Sequence, residues 1–76
     1  MDEVEKFENE NSVILKKGNY VIGVDFGWNG DSSVLVKFKI ENKKMIVLKQ
    51  SIIKENLSME ADKKVYINKL ITEMNS

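Results

Sequence analysis

The chain contains no cysteine, no histidine, no proline and no arginine. Each absence removes a class of function. Without cysteine there is no disulfide framework and no thiolate metal site. Without histidine there is neither the usual general base near neutral pH nor the commonest transition-metal ligand. Without arginine there is no planar fork for bidentate recognition of phosphates or base edges. No apolar run approaches the ~20 residues of a membrane-spanning helix. The N-terminus is acidic, which does not read as a signal peptide, and with the missing cysteine this fits a cytoplasmic setting. Any chemistry must run on carboxylates, lysines and hydroxyls.

What remains is 76 residues, enough for one domain. A domain of this size buries only roughly 60% of the surface its unfolded chain exposes, so its stability is marginal. The formal net charge is zero, but it is unevenly spread. Residues 1–10 carry Asp2, Glu3, Glu5, Glu8 and Glu10 against Lys6 alone. The remainder is correspondingly basic. Residues 1–12 read as a flexible acidic segment that is solvated or docks on a basic surface. Val4 and Phe7, three apart, would allow it a short helix, although isolated helices of that length are marginal.

Residues 13–76 read as a single β-β-β-α domain of the α+β class. Its core is a three-stranded antiparallel meander packed against one C-terminal helix, and Val13–Leu15 allow a fourth short strand. Gly18-Asn19 suits a turn. Tyr20, Ile22, Val24 and Phe26 lie on one face of the next strand, and Val21 and Gly23 on the other, the mark of a strand with apolar neighbours on both sides. Residues 33–40 alternate cleanly. Val34, Val36, Phe38 and Ile40 form one face; Ser33, Leu35, Lys37 and Lys39 form a wetter one. "ENKK" is a tight turn in which Asn42 adopts positive φ, and residues 45–52 form the third strand. From residue 58 the period changes to 3.6, with Met59, Tyr66, Ile67, Leu70, Ile71 and Met74 on one arc. Ser58 is the expected N-cap and Glu60 favours the helix dipole. The helix over 58–74 is expected to pack on Val34, Val36 and Phe38.

The stretch "YVIGVDFGWNGDSS" holds the candidate site. Asp25 ends a strand that is apolar on both faces, where a carboxylate is costly unless it is paired, solvated or metal-bound. Two readings stand side by side: a ligand for Mg²⁺ or Mn²⁺, or an acceptor for the N–H groups of the following loop. Asp31, in that loop, is either a second ligand or a turn residue. A two-metal site would need further carboxylates from Glu41, Glu55, Glu60 or Asp62. Trp28 and Asn29 are placed at the loop tip, where Trp28 would stack on a base, anchor a partner or fold back over the core. Lys37 and Lys39, with Lys43, Lys44 and Lys49 nearby, would either track a phosphate backbone or solvate a sheet face.

Tyr20, Gly23, Val24, Asp25, Gly27, Gly30, Asp31 and Ser32, followed by an alternating strand, resemble the opening of the RNase H-like nuclease domain of phage large terminase subunits. Actin-like and sugar-kinase-like ATPases share a similar opening. The terminase resemblance spans residues 13–74 and implies that Asp25 occupies the first-strand metal-ligand position. The later strands and acids of that fold have no counterpart here. The resemblance therefore implies a non-catalytic half-module of phage or prophage type, in a host cytoplasm. It would bind a protein partner such as a nuclease or host defence component. The alternative is a metal-dependent nuclease or nucleic-acid-binding half-domain, with Mg²⁺ or Mn²⁺ on Asp25 and Asp31, completed by oligomerisation.

Overall fold

The computed structural model describes residues 3–27 and 32–76. Five strands and one helix follow in chain order: β1 (Glu5–Glu8), β2 (Ser12–Lys17), β3 (Tyr20–Asp25), β4 (Ser33–Glu41), β5 (Lys44–Ile53) and α1 (Glu60–Met74). The strands pair antiparallel with their sequence neighbours, so spatial order equals chain order. The α+β class holds, but the expected three-stranded meander is corrected to a five-stranded sheet, in which β2 is the short fourth strand that Val13–Leu15 allowed and β1 is a further one. The additional edge strand, β1, lies in the segment expected to be flexible. Its residues have little burial of their own, and pairing with β2 from Glu5↔Lys16 to Glu8↔Val13 holds it.

Local chemistry places the turns. Asn42 and Lys43 both have positive φ (53° and 64°) between the paired Glu41 and Lys44. This is the two-residue hairpin geometry that matches the right-handed twist of its strands. Gly18 has φ 59° in the turn between Lys17 and Tyr20, a backbone region that glycine enters without steric cost. In β5 the register slips between Lys37↔Lys49 and Phe38↔Val47, so Leu48 is the extra residue of a β-bulge.

The helix covers one face of the sheet. Ile67 and Leu70 pack with Val13, Leu15, Ile22, Val24, Phe26, Leu35, Ile53 and Leu57, and Tyr66, Ile71 and Met74 flank them. The expected packing on Val34, Val36 and Phe38 is therefore corrected: α1 lies on the opposite face, that of Leu35. Both faces of β4 carry apolar residues, so alternation within β4 alone did not decide the side. The register decides it, because Leu35 lies beside Val24, and Val24 beside Val13. The helix also begins later than expected. Met59 is its N-cap and makes no side-chain cap bond, so Ser58 does not cap it, and Met59 is solvent-exposed rather than part of the apolar stripe.

Two contacts fix the ends of α1. The Lys63 ammonium lies 5.3 Å from the centroid of the Phe26 ring, just past β3. At the other end, Lys17 Nζ donates to the Met74 carbonyl at 2.8 Å. The helix thus runs antiparallel to β3, and no basic residue of its own occupies its last turn. No helix among the described residues is long and apolar enough to cross a membrane.

Candidate binding surfaces of the sheet

Asp25 is the last residue of β3, beside Ser12 and Val34, and its side chain is exposed on the face opposite α1. The desolvation cost expected for a buried carboxylate therefore does not arise. Ser33, which is buried, anchors the loop instead: its Oγ accepts the Gly27 N–H at 3.1 Å. Among the described residues no group of three or more acidic side chains converges as a metal centre would require. Asp31, Trp28 and Asn29 lie outside the described residues, as does the tip of the glycine loop.

The face bearing Asp25 is largely apolar and has no covering element among the described residues. Register places Phe7, Ile14, Gly23, Val36 and Gln50 in one row across it. Val21, Phe38 and Val47 form the next row, and Asp25, Val34 and Ile52 another. Phe7, Ile14, Met45, Val47 and Ile52 are all exposed, Ile52 to 65%. The pattern of Val34, Val36 and Phe38 suggests a face packed on the helix, so the sequence alone does not reveal this surface.

Gly23 lies at its middle. A Cβ built on it would meet nothing within 4 Å, and its φ is not in the left-handed region. Neither space nor backbone conformation within the chain demands glycine here. In a strand interior glycine costs roughly 0.5–1 kcal/mol relative to alanine, and it often marks a place where another molecule approaches closely.

The sheet edge is protected differently. β5 is exposed from Lys44 to Gln50. It carries Lys44 and Lys49 and the Leu48 bulge, which are the features that keep an edge from pairing with further strands.

Lys37 and Lys39 lie on the helix side of the sheet, beyond the area α1 covers. Lys37 stands beside Ile22 on β3 and Lys49 on β5; Lys39 stands beside Tyr20. Lys39 pairs with Glu41 at 3.2 Å, both partly exposed. Next to these lysines an open groove of about 730 Å³ runs past the end of α1, lined by Lys17, Tyr20, Ile22, Lys37, Leu48 and Met74 among others. The structure thus brings Lys37 to a cavity wall and keeps it away from Asp25, which is on the other face.

Among the described residues, one titrating group is displaced. Burial pushes the Tyr66 hydroxyl above its ordinary pKa of 10.0, and the negative charges of Glu55 and Glu73 add to the effect.

No protein-family model, no curated protein and no solved structure matches the chain.

Proposed function

We propose that the chain is a non-catalytic binding module that docks on another protein through the uncovered apolar face of its sheet. The observation that carries this is the open row from Phe7 to Val36 with Gly23 at its centre. A sheet with apolar residues on both faces gains stability when both are covered, and here α1 covers one. The occupant of the second face is an apolar helix surface of the partner, with one large side chain seated over Gly23. A second copy of this chain fits less well. Packed face to face about a central two-fold axis, it would set Gly23 against Gly23 and leave a void that weakens the interface.

Five strands of 4, 6, 6, 9 and 10 residues, about 4.8 Å apart, give a projected face of roughly 500 Å². That suits a small or transient interface. In the setting raised by the terminase resemblance, the module is of phage or prophage type and its partner is a nuclease or host defence component. The charge imbalance between residues 1–10 and the remainder would steer encounter rather than supply affinity.

The test is affinity capture with the wild-type chain and with Val36→Lys, which places a charge at the centre of the face. A partner captured by wild type, lost with Val36→Lys, and bound again when both purified proteins are mixed supports the reading. Mn²⁺-dependent DNA cleavage that disappears in Asp25→Ala overturns it. So does self-association that Val36→Lys abolishes.

A further inference from the structure

We propose that the groove beside the C-terminal end of α1 binds a small amphipathic anion, a molecule with an aliphatic or aromatic body and one anionic head. The groove lies at the Tyr20 end of the sheet, away from Gly23, and its lining includes Val21 and Phe38 from the margin of the docking face.

Its position follows from how α1 sits. The helix buries the end of the sheet around Val13, Val24 and Leu35 and leaves the other end, around Tyr20 and Lys37, as an open groove of about 730 Å³. That volume falls within the ~300–1,000 Å³ usual for small-molecule sites. Ile22, Leu48 and Met74 offer apolar walls, and Tyr20 lends an exposed aromatic ring. Leu48 is the bulge residue of β5, and a bulge is a common way of re-aiming a side chain beside a site.

The charge points to the ligand's sign. Lys37 and Lys49 are directly opposite on neighbouring strands, and like charges so placed destabilise a sheet. Neither has an ion-pair partner among the described residues. Lys17, by contrast, is committed to the Met74 carbonyl, and Lys39 to Glu41. An anion seated between Lys37 and Lys49 relieves their repulsion while its apolar body covers Ile22 and Met74. Lysine recognises such a head as a point charge, so a carboxylate and a phosphate monoester satisfy the same chemistry.

Amide chemical-shift titration of the full chain tests this with decanoate and with 1-naphthyl phosphate, using decanol and inorganic phosphate as controls. The proposal expects saturable shifts confined to Gly18–Ile22, Lys37 and Leu48 with one or both amphipathic anions; which of the two binds distinguishes an aliphatic from an aromatic body. The controls should produce none. Lys37→Gln combined with Lys49→Gln removes charge without removing core, so its folded spectrum persists, and it should weaken binding by about tenfold or more. Shifts centred on Ile14, Gly23 and Val36 instead, equal binding of decanol, or unchanged affinity in the double variant would each overturn it.

Discussion

Gly23 stands directly opposite Val36 at the middle of the uncovered sheet face, and a side chain added to Gly23 would enter open space. Gly23→Val should therefore stabilise the isolated domain. Relief of the glycine cost and gain of strand propensity together amount to about 1 kcal/mol. For a domain of this size that raises Tm by roughly 4–8 °C. The same variant fills the space kept for a partner side chain and should weaken docking. A thermal melt checks the first effect; a lowered Tm would show that the fold itself needs glycine there.

Lys17 Nζ donates to the Met74 carbonyl at the C-terminal end of α1, whose last turn has no basic residue of its own. Lys17→Met keeps the aliphatic stem and removes the charged donor. The expected loss is about 1 kcal/mol, smaller at high salt because the interaction with the helix dipole is screened. Denaturant titrations at low and high ionic strength measure it. Equal losses at both would remove the dipole from the explanation.

The two faces of the sheet should respond oppositely to truncation. Leu70 is buried between α1 and the sheet, so Leu70→Ala is expected to cost about 2–5 kcal/mol. That is a large share of the whole stability of so small a domain. Ile52 is 65% exposed on the open face, and Ile52→Ala should change stability by no more than about 0.5 kcal/mol. Urea unfolding of both variants makes the comparison. Similar costs at the two positions would mean that the open face is covered in the isolated chain.

Tyr66 gives a pH dependence of definite sign. Its folded pKa lies above 10.0 because of burial first and the carboxylates of Glu55 and Glu73 second. Folding thus favours the protonated hydroxyl. The contribution is present in full below about pH 10 and is lost as pH rises through the folded value. Between neutral pH and about pH 11 the wild type should lose more stability than Tyr66→Phe. Parallel stability curves for the two proteins would place the alkaline loss elsewhere.

Much of the local structure was legible in the residues. The alternation of residues 33–40, the turn at Asn42 and the helical stripe through Ile67 and Leu70 all fall where local periodicity and turn chemistry put them. Two things were not legible. β1 carries four exposed residues and depends on pairing with β2, so no burial pattern marks it. The side of the sheet taken by α1 depends on cross-strand register, which sets Leu35 rather than Val36 in line with Val24 and Val13. That single uncertainty hid the candidate site, because the residues assigned to the core are those left uncovered. Asp25 was conspicuous by its apolar neighbours in sequence, yet it ends its strand at the surface, where those neighbours do not enclose it.

The most direct test of docking through the open face is amide hydrogen exchange on the purified complex with the captured partner, compared with the free chain. Binding should slow exchange along β2, β3 and β4 around Ile14, Gly23 and Val36, while α1 stays unchanged, and Gly23→Val should remove the effect. Protection confined to the β5 edge or to α1, with Gly23→Val binding as well as wild type, would contradict it.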